Sequence, residues 1–230
     1  MFDAVIFDFD GLILDTEAPS FHSWSETYRY FGVEPVSIAT WSNNLGRHSG
    51  DPARFDPFRH VAAHVPGVDL VEVETYRRAI RDRLLDATDL RAGVRRWLDA
   101  ARVHGIPSAI ATSSPLEWIE RHLRPRELFE HFACVVCAGD DLRGKPDPAV
   151  YLAAYAQLGV APSSAVALED SPNGVAAAKS AGLTCFAVPC SMTASLDFTR
   201  ADLVVGSLDD LDPHDYLRSR KTKGDDAADA

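Results

Sequence analysis

With 230 residues, 46% of them apolar and 25% charged, the chain can bury one domain-sized core with room for a small insertion. That excludes disorder as its main state. A formal net charge of −11 has the wrong sign for a broad nucleic-acid or anionic-membrane surface, so an anionic substrate would have to meet a local positive site. No run approaches 18 uninterrupted apolar residues, and Met1-Phe2-Asp3 leads into a strand-like run without the basic and apolar regions of a signal peptide. A cytoplasmic protein with no membrane partner is expected.

The first strand is predicted over 4–9. Residues 17–88 then break the pattern: they are rich in Trp, Tyr, His and Arg, show helical periodicity at 70–85, and contain no strong strand. An all-helical insertion is the simplest reading, with 42–57 as a loop because of its Asn-Asn pair, glycines and prolines. Beyond it, apolar runs at 107–112, 133–138, 165–168, 184–188 and a weak 202–205 alternate with helical stretches at 91–104, 116–123, 149–158 and 172–181. Gly105, Gly159 and Gly182 close three of these helices. Near-continuous apolar runs suit strands buried on both faces, so the fold class is α/β, a doubly wound parallel sheet. The core is expected over 1–16 and 89–220, the helical insertion over 17–88, and a frayed tail over 221–230.

Cys134 and Cys137 form a CxxC within a predicted strand, with Cys185 and Cys190 far downstream. Residues three apart in a strand face opposite ways, so reduced thiols are expected rather than a zinc site.

Two carboxylate pairs end predicted strands: Asp8 and Asp10 before Gly11, and Glu169-Asp170 before Ser171-Pro172. Ligand sites of open α/β sheets lie at such ends. Close carboxylates raise each other's pKa, and a cation relieves the conflict; oxygen-only ligands suit magnesium. Taken alone, the first pair also reads as a turn cap beside an exposed carboxylate, but two pairs at neighbouring strand ends make a four-oxygen pocket. Ser171 as N-cap and Pro172 at the first helical position favour a helix start over an Asn173-Gly174 hairpin. Thr112-Ser113-Ser114 at another strand end offers hydroxyls and backbone N–H groups for a phosphate, or a plain N-cap. Lys145, one of four lysines, lies in a loop stiffened by Gly144 and Pro146. It could neutralise a phosphate, or be merely solvated.

Together the DxDGxxxDTE segment from Asp8, the hydroxyl run at Thr112, the GKPDP lysine and the EDSxxG acidic run resemble the haloacid dehalogenase superfamily, and most nearly its β-phosphoglucomutase-like sugar-phosphate phosphatases and mutases (subfamily IA). The resemblance implies a Rossmann-like core with a helical type C1 cap over 17–88. It implies Asp8 as nucleophile forming an aspartyl-phosphate, Asp10 as general acid then base, and Lys145 as charge balance. Thr112, Gly11, Ser113 and Ser114 would hold phosphoryl oxygens. Mg²⁺ would be held by Asp8, the Asp10 carbonyl, Asp170 and Glu169. Dehalogenation is disfavoured because relatives with that activity lack the second aspartate. A Schiff-base phosphonate route is ruled out because 17–88 contains no lysine. A mutase would need a differently placed cap histidine and a lysine where Pro115 stands, so hydrolysis is favoured; a non-catalytic binding protein is the remaining alternative. The substrate class implied is a small phosphorylated sugar or polyol. Arg47 and His48 are the best candidates to read it, with Trp24, Trp41, Arg54 and His60 as further cap candidates or packing residues. The chain is expected to act as a monomer, with a homodimer as the alternative.

Overall fold

The computed structural model describes residues 1–42, 45, 54–139 and 141–218. Six parallel strands form one sheet: β1 (Ala4–Phe7), β2 (Ser108–Thr112), β3 (Cys134–Cys137), β4 (Ala165–Glu169), β5 (Thr184–Ala187) and β6 (Leu203–Val204), in the order β3-β2-β1-β4-β5-β6. This is the doubly wound α/β class expected from the sequence. The winding reverses between β1 and β4, where Phe7 stands opposite Leu168, and a crevice opens at their carboxyl ends.

Side-chain alternation builds two cores from one sheet. Val5, Phe7 and Ile110 face one side, beneath α5 (Val94–Val103) and α6 (Leu116–Leu123). Ala4, Ile6, Ala109, Ala111, Ala165 and Ala167 face the other, where α7 (Ala149–Leu158) and α8 (Pro172–Ser180) pack. The alanine-rich face leaves room for these two helices to lie close on the sheet. Cys134 packs against the second core and Cys137 against the first, as period two requires, and all four cysteines are free.

The insertion is helical, as expected: α1 (Glu17–Tyr30), α2 (Ile38–Trp41), α3 (Pro57–His64) and α4 (Leu70–Asp86). Its own cluster of Trp24, Tyr28, Val33, Trp41, Val61 and Val73 also takes in Cys190 and Met192, which follow β5, so the insertion rests on the sheet's carboxyl edge. The expected loop over 42–57 falls mostly on residues outside those described, as does the expected tail.

Two boundaries differ from expectation by two residues or more. β1 stops at Phe7 because the Phe9 carbonyl gathers the N–H groups of Leu12, Ile13 and Leu14 into a turn. α5 starts at Val94 rather than near 91 because Arg91 donates its backbone N–H to the Ile13 carbonyl and Leu90 bridges Leu14. No helix among the described residues is long and apolar enough to cross a membrane.

Candidate active site

Asp8 directly follows β1, and its N–H donates to the Leu168 carbonyl at 2.9 Å, which locks it beside the end of β4. Glu169 ends β4 and Asp170 follows; Ser171 then caps α8, its hydroxyl accepting the Gly174 N–H at 3.1 Å. One oxygen of each of Asp8, Glu169 and Asp170 lies within 4.8 Å of the others, all buried. Two glycines permit this approach. A Cβ on Gly11, whose φ is +83°, would sit 2.0 Å from Asp170 Oδ2, and a Cβ on Gly174 would sit 2.0 Å from the Glu169 carboxylate.

Lys145 enters from the segment before α7 and is only 2% exposed. Its Nζ donates to Asp8 Oδ1 at 2.5 Å and to Glu169 Oε1 at 2.6 Å. The Tyr151 hydroxyl donates to the same Glu169 oxygen at 2.6 Å, while Glu169 Oε2 accepts the Asp170 N–H at 3.1 Å. Both Glu169 oxygens are therefore engaged within the protein. Asp170 differs: its Oδ2 is buried with no hydrogen-bond partner.

The charges follow from this geometry. Burial pushes the Asp8 carboxyl up to about 8, with Glu169 and Asp10 adding to the shift and Lys145 opposing it. Burial, then the charges of Asp8 and Glu169, hold Asp170 well above the carboxylate range, against a hydrogen bond from Cys190. Burial alone would lower Lys145, but Asp8 and Glu169 outweigh it and keep the ammonium charged. Glu17, at the start of α1, is pushed up to about 8 by desolvation and then by Asp10, with Arg54 opposing. Three buried carboxylates against one ammonium leave a deficit of positive charge. An orphan carboxylate oxygen in an all-oxygen donor set is what a hard divalent cation such as magnesium fits.

Asp10 stands beside this group with its carboxylate filled. Oδ1 accepts the Thr16 hydroxyl and the Trp118 indole N–H, each at 2.8 Å; Oδ2 accepts the Ser114 hydroxyl at 2.5 Å. Thr112 Oγ1 accepts the Ser114 N–H at 3.1 Å, and Ser113 Oγ accepts the Lys145 backbone N–H at 3.1 Å. The expected core residues Asp8, Asp10, Gly11, Thr112, Ser113, Ser114, Lys145, Glu169 and Asp170 thus converge on one edge of the sheet. Gly11 spends its N–H on the Leu14 carbonyl at 2.8 Å. Arg47 and His48 lie outside the described residues. Trp24 and Trp41 are buried in the insertion's core, and His60 packs edge-on against Tyr28 and at a tilt against Phe55.

Sequence reasoning missed Trp118, Tyr151 and Arg91. The Arg91 guanidinium binds the carbonyls of Gly11, Val188 and Pro189, bracing the turn after Asp10 against the loop after β5. A tyrosine in the apolar α7, just after the lysine loop, was the one available hint. Nothing local to Trp118 or Arg91 marks their partners, which lie 108 and 80 to 98 residues away.

Buried carboxylates and a lysine thus gather at the switch point of a doubly wound sheet, where open α/β folds bind ligands. Residues 5–188 match the haloacid dehalogenase-like hydrolase family. The YhcW protein of Bacillus subtilis is 35% identical over 214 residues, covering 92% of this chain and 94% of YhcW. Hexitol phosphatase B of Escherichia coli is 29% identical over 228 residues, covering 93% of this chain and 96% of that one. The crystal structure of CbbY from Rhodobacter sphaeroides in complex with phosphate superposes with a TM-score of 0.69 at 27% identity, over 90% of this chain and 95% of CbbY. The chain belongs to the haloacid dehalogenase-like hydrolases, on their phosphatase branch.

Proposed function

We propose that the protein is a Mg²⁺-dependent phosphomonoesterase that cleaves a small phosphorylated sugar or polyol through an aspartyl-phosphate on Asp8. The observation that carries this reading is the buried Asp8–Lys145–Glu169 cluster with the partnerless Asp170 Oδ2 beside it. In this reading residues 1–16 and 89–220 form the core and 17–88 a cap that excludes water.

An Asp8 oxygen attacks phosphorus while Asp10 gives its proton to the departing alcohol oxygen, breaking the P–O ester bond. Asp10 then takes a proton from water as that water attacks the phosphoaspartate, freeing phosphate and restoring Asp8. Lys145 favours the ionised, nucleophilic form of Asp8 and balances the phosphoryl charge. Thr112, with the backbone around Ser113, binds phosphoryl oxygens. Asp8, Asp170 and the Asp10 backbone carbonyl would hold Mg²⁺, with Glu169 orienting Lys145 instead of ligating. The ion supplies charge neutralisation for the phosphoryl oxygens. The sugar or polyol class rests on the relatives, hexitol phosphatase B among them.

The test is phosphate release from a panel of sugar, polyol and nucleotide monophosphates, with Mg²⁺, with EDTA, and with Asp8→Asn. Release that needs Mg²⁺ and vanishes in the variant is the expected result. Conversion of β-glucose 1-phosphate to glucose 6-phosphate without free phosphate would replace this reading by a mutase. Silence across the panel from a folded, Mg²⁺-binding protein would favour a non-catalytic role.

A further inference from the structure

Asp10 has a donor that the proposed chemistry does not account for. Trp118 sits on α6, half-buried, and sends its indole N–H to Asp10 Oδ1 at 2.8 Å. An indole nitrogen donates and never accepts. Oδ1 is therefore an acceptor whether Asp10 is ionised or protonated. Both oxygens also meet a hydroxyl that can turn and accept, Thr16 at Oδ1 and Ser114 at Oδ2, but only Oδ1 faces a donor that cannot turn, so a proton on Asp10 is favoured at Oδ2 over the indole-bound oxygen.

The indole is itself held from the insertion. The Arg81 guanidinium of α4 lies over its ring, 4.9 Å from the centroid, and His122 packs edge-on at 4.3 Å. Arg81 is fixed by Asp82 at 2.9 Å, and Asp82 also binds Arg121 of α6 at 2.8 Å. Two adjacent residues of α4 thus grip two positions of α6 about one turn apart. The physical path runs from the insertion through Arg81 and Trp118 to the Asp10 carboxyl.

We propose that Trp118 is a positioning residue for Asp10: it pins Oδ1 as an acceptor, so that Oδ2 carries the proton handed to the leaving oxygen, and Arg81 holds the indole in that orientation. This rests on the acid–base reading of Asp10 given above. The proton leaves Oδ2 as the P–O ester bond breaks, and a proton from the attacking water replaces it in the second step.

The test uses the full chain with Mg²⁺ and compares kcat/KM for two esters: the best alkyl phosphate of the panel, whose alkoxide needs a proton, and p-nitrophenyl phosphate, whose phenolate does not. Because kcat/KM reports the steps through the first irreversible one, hydrolysis of the phosphoaspartate does not blur it. In Trp118→Phe the alkyl-to-aryl ratio is expected to fall about 10-fold, the scale of one lost hydrogen bond to a charged group. Asp10→Ala should lower the ratio further, about 100-fold, the scale of general acid catalysis. Arg81→Ala should lower it about 3-fold, a fraction of the indole's own effect, and it carries the test if Trp118→Phe does not fold.

A ratio unchanged in Trp118→Phe, because both esters slow equally or neither slows, overturns the proposal if Asp10→Ala still discriminates between them. If Asp10→Ala shows no discrimination, the acid–base reading falls and the proposal with it. An unchanged ratio in Arg81→Ala beside a lowered one in Trp118→Phe removes the link to the insertion.

Discussion

Asp170 carries a buried carboxylate oxygen that no protein group satisfies, and a buried carboxylate in that state destabilises the fold that contains it. Asp170→Asn should therefore raise the melting temperature of the metal-free protein, by the equivalent of about 1 kcal/mol, while abolishing Mg²⁺-dependent phosphate release. A thermal melt beside the activity assay checks both halves. Lys145 makes the opposite case. Replacing it by Met leaves Asp8 and Glu169 buried without their shared partner, at a cost of about 3–5 kcal/mol, measurable by urea denaturation. Gly11→Ala places a methyl against Asp170 Oδ2 at a backbone angle that suits glycine. It should weaken Mg²⁺ binding more than it weakens the sheet, as titration calorimetry on the folded variant would show.

At the scale of elements, the strands were legible because near-continuous apolar runs have few other uses in a chain this size. α6 and α7 begin and end where their periodicity predicts. α8 follows from Ser171 and Pro172 against the competing Asn-Gly signal, because an N-cap hydroxyl satisfies an N–H that a hairpin would leave to the turn. Ser171→Ala should cost about 1 kcal/mol by denaturant unfolding, the usual worth of such a cap. The end of β1 and the start of α5 were not legible. β1 ends where the Phe9 carbonyl gathers the turn at 12–14, whereas the start of α5 is set by the contact of residues 13 and 14 with 90 and 91, and no local propensity encodes a partner almost eighty residues away.

For the whole molecule, the clustered acids make stability depend on pH and on cation. Burial raises Asp8 and Glu17 to about 8 from their ordinary values of 3.8 and 4.5. The folded state then binds more protons than the unfolded state between roughly pH 4 and 8, so the stability of the metal-free protein falls as pH rises through that window. Saturating Mg²⁺ should raise the melting temperature and flatten that decline, because a bound cation favours the ionised carboxylates. A series of melts from pH 5 to 9, with Mg²⁺ or EDTA, measures both effects. The insertion shares in this state of the molecule: Asn173, at the start of α8, donates to the Leu45 carbonyl at 2.8 Å, and Cys190 and Met192 lie within the insertion's cluster.

By itself the sequence determined the alternation of strands and helices, the helical character of the described residues between β1 and α5, and which residue types gather at the strand ends. Those properties are written in periodicity, caps and short motifs, where each signal lies within a few residues of what it specifies. Only the tertiary structure decided that Glu169 is consumed by Lys145 and Tyr151 while Asp170 is left with a free oxygen, that Trp24 and Trp41 are core, and that Trp118 answers to Asp10. Each of these depends on which side chain reaches a given oxygen first. That is settled by packing between segments distant in the chain, and no local pattern carries it.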